Sequence, residues 1–364
     1  MKICVGLREE VPSNPRRDNL RSEGRWERQV LEACVSNPAV SDIYSIGAEW
    51  SGAGDKYRGH VSDSTAHNCV LIMQDWSNAA FRYKFKAAIV NIFAGPWLDQ
   101  VSEVHNAKAG LNGNLFFSVG FPVMHRNEVV ENNPFAGQSH LSKFLPRENI
   151  VLLPVPGAPF ISNNNNFDNH NLLWAQRLVF MNQLQDSATL LWSLQMLQRN
   201  AHLYLDILTG WWAPEVKDYV DGVVVYRPDI TEAFWNLSPF APLVEVKDRV
   251  RIYLDLHWEQ VLQKHSQAKL MTTYGRLFGG APIEAGMHGV PFVGSGKTGA
   301  LGDCEDYQYA LTEVEACDVL NKLYNDREFY TKVGDAYRSY VKDHYTFEAF
   351  NNNLNNLLLD RNLL

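Results

Sequence analysis

The chain has 364 residues, 46% of them apolar and 20% charged, which is globular composition with material for two cores. Its formal charge is 33 minus 41, or −8, which excludes a protein held on nucleic acid by bulk charge. Five cysteines (Cys4, Cys34, Cys69, Cys304, Cys317) show no CxxC or metal-like spacing, so buried free thiols in a reducing compartment are expected. The opening MKICVGLREE has too short an apolar run for a signal peptide. No stretch nears the ~18 apolar residues that span a bilayer. A soluble, cytoplasmic protein is the expectation.

In chain order, short apolar runs alternate with helix-like segments, the pattern of an α/β protein. KICVGL reads as a strand running into a long polar loop, and RWERQVLEACV repeats its apolar residues at helical spacing. SDIYSIG, NCVLIMQ, KAAIVNIF, LFFSVGF and NIVLLPVPG are further strands. APFISNNNNFDNHN follows. Asparagine favours turns because its amide competes for backbone hydrogen bonds, so this segment reads as a linker outside any core, with a domain boundary near residue 158.

The second half opens with the strand NLLWAQR and a long helical pattern, NQLQDSATLLWSLQMLQRN. Strands HLYLDILTG, DGVVVYRPD and RVRIYLD, the helix WEQVLQKHSQA and the strand KLMTTY come next. Beyond Thr312 the chain reads as helices to its end.

Between them stands YGRLFGGAPIEAGMHGVPFVGSG, residues 274–296. A strand enters a glycine turn. Pro282 suits the first turn of a helix over about 281–287, and Gly289 suits its C-terminal cap. Strand, glycine turn and helix N-terminus make an anion site, because free N–H groups and the positive dipole end face the ligand. Glu284 in that helix has two readings: acceptor for the vicinal hydroxyls of a ribose, or a carboxylate complementing the helix dipole. SGKTG at 295–299 lacks the Walker spacing, since Pro291 stands where a glycine is needed, so an NTPase is not expected.

These motifs resemble the GT-B glycosyltransferases, in particular the retaining group with the signature E-G-F-G-x-x-P-x-E-A. Phe278, Gly279, Pro282, Ile283, Glu284, Ala285, Gly289, Val290 and Pro291 fall in register. LLWAQRL resembles the strand that opens the family's donor domain, FLPRENIVLLPVPGA its interdomain crossing, and DREFYTKVGDAYRSYVKDHYTFEAF its closing helices. The resemblance implies an α/β protein of two facing Rossmann-like domains with a cleft between them. An acceptor domain would span 1–158 and a nucleotide-sugar donor domain 159–340, with a C-terminal helix, 341–364, packing back on the first. It implies transfer of a sugar from a nucleotide-sugar donor to a hydroxyl acceptor, a glycan or lipid-linked sugar, with retention.

On the same resemblance Glu284 contacts the donor ribose and Arg177 neutralises the leaving diphosphate, while Gly279, Gly280 and Ala281 line the donor site beside Phe278, Pro282 and Ile283. A guanidinium fork suits a phosphate on which charge grows as the glycosidic bond breaks. The sequence also departs from the family. Arg276 replaces the first signature glutamate and Asn182 a lysine, so Arg276 is expected to supply the missing positive charge. Only Gly24 stands where the family has a glycine pair before its first helix. Arg16, Arg17, Arg21, Arg25 and Arg28 crowd the same region, either as a solvated face or as a reader of an anionic partner such as a phospholipid surface or acidic glycan. A nucleic-acid acceptor is disfavoured by the net charge. No DxD-type motif calls for a metal, GDCED near 302 reads as a loop, and no cofactor is expected beyond the nucleotide sugar as substrate. Two alternatives stand beside the transferase: a non-catalytic sugar-nucleotide-binding subunit, and a sugar-nucleotide epimerase.

Overall fold

The structure is a computed structural model. It describes residues 1–7, 22–47, 54–73, 83–92, 114–119, 147–154, 156–162, 164–175, 188–209, 217–220, 223–226, 241–254, 256, 258–273, 280–294 and 313–364. The chain divides into two compact units, Met1–Phe160 with Val341–Leu364, and Ile161–Tyr340.

The first unit contains β1 (Lys2–Gly6), α1 (Ser22–Ser36), β2 (Asp42–Ile46), β3 (Tyr57–His60) and the short α2 (Asp63–Ala66). It continues with β4 (Cys69–Met73), β5 (Ala87–Ile92), β6 (Leu115–Val119) and β7 (Ile150–Leu152). Among the described residues these strands form one seven-stranded parallel sheet in the order β3-β2-β1-β4-β5-β6-β7. The central strand β4, CVLIM, is buried at every position, because a parallel sheet is covered on both faces. Alternation still sorts the side chains: Ile3, Val5, Val70 and Ile72 enter one core, Cys4, Leu71 and Met73 the other. Chain order reverses between β1 and β4. There a Cβ on Gly6 would come within 2.8 Å of Met73 Cβ, so the two strand ends approach as closely as glycine allows.

The second unit contains β8 (Asn171–Ala175), α3 (Ala188–Arg199), β9 (Tyr204–Thr209) and a hairpin of β10 (Lys217–Val220) and β11 (Val223–Tyr226). A 3-10 segment (Ala241–Arg249) leads into β12 (Val250–Leu254). Then come α4 (Trp258–Gln267), β13 (Leu270–Thr273), α5 (Gly280–Met287), β14 (Phe292–Gly294), α6 (Glu313–Asn325) and most of α7 (Arg327–Tyr345). Its parallel sheet runs β12-β9-β8-β13-β14, and chain order reverses between β8 and β13. Buried polar pairs fix the core geometry. Trp174 Nε1 donates to Thr189 Oγ1 at 3.0 Å, and the Ser193 and Thr272 hydroxyls lie 2.7 Å apart.

The chain returns to the first unit in the last turn of α7 and in α8 (Phe347–Asp360). Phe350, Leu354 and Leu358, four residues apart on α8, enter the same core as Val30, Leu31 and Cys34 of α1. Asn351 Nδ2 donates to the Ala33 carbonyl at 2.8 Å, satisfying one of the carbonyls left open at the end of α1.

The Asn-rich segment departs from its sequence reading. Asn166 is buried, and its Nδ2 donates to the Ser266 and Ala268 carbonyls at 2.8 and 3.0 Å. Asn169 Nδ2 donates to the Gln267 carbonyl at 2.9 Å. Asn165 makes the local turn that the sequence suggests, its Oδ1 accepting from the Phe167 N–H at 3.1 Å, whereas the amides of Asn166 and Asn169 cap the C-terminal end of α4, about a hundred residues away along the chain. Cys4, Cys34, Cys69 and Cys317 are buried thiols, and burial pushes Cys34 up to about 12 and Cys69 up to about 11. Among the described residues no helix is long and apolar enough to cross a membrane.

Candidate functional site

The reversal of chain order between β8 and β13 singles out one place in the second unit. In an open α/β sheet, ligands bind beyond the carboxyl ends of the strands where the order reverses, because the connections there diverge to opposite faces. β8 and β13 are hydrogen-bonded neighbours with Trp174 opposite Thr272, and they end at Ala175 and Thr273. Arg177 follows β8 by two residues and Arg276 follows β13 by three. In sequence, therefore, the two candidate cations follow strands that are neighbours in the sheet. Arg177, Asn182, Arg276, Phe278 and Gly279 themselves lie outside the described residues.

α5 begins at Gly280, with Ala281 and Pro282 in its first turn. A proline is tolerated there because the first helical N–H groups have no intrahelical partner. The helix is apolar and buried along most of its length, as suits a helix packed into a unit's interior. It stops where the sequence suggests: Gly289 adopts φ +64° and donates to the Gly286 carbonyl at 2.9 Å, while the Val290 N–H reaches the Ala285 carbonyl at 2.9 Å. Arg338 of α7 lies against this turn, its Nη2 3.5 Å from the His288 carbonyl, and donates to the Asn164 carbonyl at 2.9 Å. The Ser162 N–H caps the Met287 carbonyl at 3.0 Å.

Glu284, one turn into α5, is only 3% exposed. Its Oε2 lies 3.6 Å from Nδ1 of His265, which is fully buried on α4. That separation is too long for a hydrogen bond. His265 Nδ1 lies 2.9 Å from the Val261 carbonyl one turn earlier, so this nitrogen carries the proton and presents its positive edge beside the carboxylate. His288, just past α5, is also buried; desolvation first, then the neighbouring His265, lower its pKa to about 4 despite the opposing pull of Glu284. It is neutral at physiological pH. His265 and His288 are residues that sequence reasoning did not single out. The available signal was the i, i+4 pairing of Val261 and His265 on a helix whose other buried positions, Trp258 and Leu262, share that face.

Glu284 thus sits on the helix its sequence suggests but is enclosed, with one oxygen against an imidazole. Gly24 is the third residue of α1, inside the helix and not in a loop preceding it. Among the described residues no group of three or more His, Cys, Asp or Glu is arranged to hold a metal ion.

No family model matches the chain, and no curated protein sequence does. Solved structures do. Sucrose-phosphate synthase from Thermosynechococcus elongatus superposes with a TM-score of 0.60 at 13% identity, over 99% of both chains. The UDP-GlcNAc 2-epimerase from Neisseria meningitidis, bound to UDP-GlcNAc, gives 0.54 at 12% identity over 99% of this chain and 100% of that one. S. aureus TarM, in complex with UDP and alpha-GlcNAc-glycerol, gives 0.53 at 13% identity over 79% of this chain. The chain spans only 55% of the length of TarM. The likeness is one of fold. The chain carries the pair of Rossmann-like units of the GT-B fold, and its two sheet orders agree with that likeness.

Proposed function

We propose that the protein is a glycosyltransferase that moves a sugar from a nucleotide-sugar donor to a hydroxyl of a glycan or lipid-linked acceptor, with retention at the anomeric carbon. One observation carries the reading: α5 starts just beyond β13, at the point where the second sheet reverses its order, with an arginine following each of the two adjacent strand ends. The diphosphate of the donor rests against the N-terminus of α5 and Arg177, with Arg276 taking the place of the missing lysine charge. As the bond from the anomeric carbon to phosphate breaks, negative charge grows on the leaving diphosphate. Guanidinium and backbone N–H groups lower the barrier because they are stronger partners for that charge than for the ground state. The leaving phosphate oxygen takes the acceptor's proton, so no separate general base is required. Glu284 accepts the ribose hydroxyls; an enclosed carboxylate makes stronger hydrogen bonds than an open one because water does not compete.

The test is a panel of UDP-, GDP- and ADP-sugars scored for thermal stabilisation and for release of nucleoside diphosphate. One base is expected to stabilise the protein and to be released in the presence of a hydroxyl acceptor. Stabilisation without release would make the chain a binding subunit, and a change of configuration in the recovered donor would make it an epimerase. If no nucleotide binds, the reading fails. Glu284→Ala is expected to weaken nucleotide binding about tenfold or more, the cost of losing hydrogen bonds to a charged acceptor. Unchanged affinity would mark Glu284 as an internal packing residue.

A further inference from the structure

The amino-terminal edge of the second sheet carries charged and aromatic side chains that the proposed reaction does not use. Tyr204 and Asp206 lie two residues apart on β9 and so share one face of the sheet. Their register partners, Asn171 on β8 and Arg251 on β12, belong to the same face. Asp206 is buried, and two cations meet it: Arg251 Nε donates to its Oδ1 at 2.6 Å, and Lys264 Nζ of α4 lies 3.7 Å from its Oδ2. Two positive charges against one negative leave this group with one positive charge. Arg251 is held at three points. Besides Asp206, its Nη2 donates to Asn171 Oδ1 at 3.1 Å, and its guanidinium carbon stands 5.2 Å from the centre of the Tyr204 ring. A surface arginine ordinarily loses rotamer freedom when it grips a ligand; here folding has already removed that freedom.

The group opens to solvent. The Arg251 side chain is 43% exposed and Tyr204 42%. His170, immediately before β8, and His202, two residues before β9, are also exposed, with ring centres 6.4 Å apart. The Tyr204 N–H donates to the His170 carbonyl at 2.9 Å, which ties the two strand starts together. Among the described residues, Arg251 Nη1, the Tyr204 hydroxyl and the ring nitrogens of both histidines have no hydrogen-bond partner in the protein. Asp168, the acid on the segment leading to His170, is matched by Arg327 at 2.5 Å. We propose that this edge of β12, β9 and β8 is a binding site for an acidic saccharide. Its carboxylate or phosphate meets the outward Nη1 of Arg251, a charge-assisted contact. Its hydroxyls meet the imidazoles and the phenol, which can each donate or accept. The site lies at the strand ends opposite those that carry the nucleotide reading and does not depend on that reading.

The full chain is titrated by calorimetry at low salt with an oligogalacturonate, with glucose 6-phosphate, with a neutral maltooligosaccharide and with poly-aspartate. At least one of the two acidic saccharides is expected to bind about tenfold or more tighter than the neutral one, the worth of one hydrogen bond to a charged group. It should also bind tighter than poly-aspartate, which offers charge without sugar hydroxyls. Three variants locate the site. Arg251→Lys keeps a cation beside Asp206 but loses the fork, and should weaken binding about tenfold. Tyr204→Ala and the double variant His170→Ala/His202→Ala change exposed side chains and should each weaken it about threefold or more. Melting midpoints of the same samples check that each variant is folded. Tyr204→Ala and the histidine variant leave the Arg251–Asp206 pair in place, so they carry the test even if Arg251→Lys fails to fold. No binding of either acidic saccharide overturns the proposal. So does equal binding of the neutral sugar or of poly-aspartate, or an affinity unchanged in both exposed variants. Nucleotide binding is scored separately, so failure of one reading is not failure of the other.

Discussion

Replacing Gly334 by alanine sets two effects of opposite sign against each other. Gly334 lies in the middle of α7, where glycine costs roughly 1 kcal/mol relative to alanine, so helix propensity alone makes Gly334→Ala stabilising. Packing opposes this. A Cβ at 334 would be driven into the carbonyl oxygen of Gly289, with the Gly289 carbonyl carbon at 3.4 Å and its Cα at 3.8 Å. The obstacle is backbone and cannot rotate away. Gly289 is held at φ +64° by the cap that ends α5, and Arg338 of α7 lies against the same turn, its Nη2 3.5 Å from the His288 carbonyl. Overpacking of this kind costs about 1–3 kcal/mol, and a lost hydrogen bond about 1 kcal/mol more. Less the propensity gain, the net loss is about 2 kcal/mol, or a fall of about 4–8 °C in melting temperature for a unit of this size. Differential scanning calorimetry of the full chain reads it directly. A midpoint that stays or rises would mean that α7 does not meet Gly289 as closely as described, and the bracing of α5 would have to be rebuilt.

Two further outcomes come from other parts of the fold. His288 has its pKa lowered from 6.5 to about 4, so between those values the unfolded chain binds the proton that the folded chain refuses. Its contribution is therefore complete above pH 6.5 and is lost as pH falls toward 4, up to about 3 kcal/mol. His288→Leu should flatten that part of a pH series of urea midpoints; an unchanged slope would refute the assignment. Asn351→Ala should cost about 1 kcal/mol, because it removes one of the two donors to the Ala33 carbonyl, the other being the Ser36 hydroxyl, and with it the bond from Asn351 Nδ2 to Ser36 Oγ. Asn351→Ala with an unaltered denaturation midpoint would show that its bonds add nothing to the apolar packing of α8.

Much of the architecture is legible without coordinates. The strands KICVG, CVLIM and NLLWA are short apolar runs between polar turns, and such runs are determined by local composition. The helix 280–287 and its cap at Gly289 are equally local, since proline at a helix start and glycine beyond its end act through their own backbone angles. β3, YRGH, gives no such signal. It is an edge strand beside a register shift in β2, half-exposed and polar, and only its pairing with β2 makes it a strand. β10, KDYV, has two charged residues in four and is defined by its antiparallel partner β11.

The asparagines and Glu284 show where local reading stops. The sequence determines that residues 163–166 are a run of amides hungry for hydrogen bonds, and that a carboxylate stands one turn inside a helix following a glycine turn. It does not determine which carbonyls the amides reach or which way the carboxylate looks. Those depend on α4 and α5 lying side by side against β13, which brings Ser266 to Asn166 and His265 to Glu284 from distant parts of the chain. Turn and helix preferences are properties of neighbouring residues, whereas the partner of a buried polar atom is set by strand order, and strand order exists only once the sheet has formed.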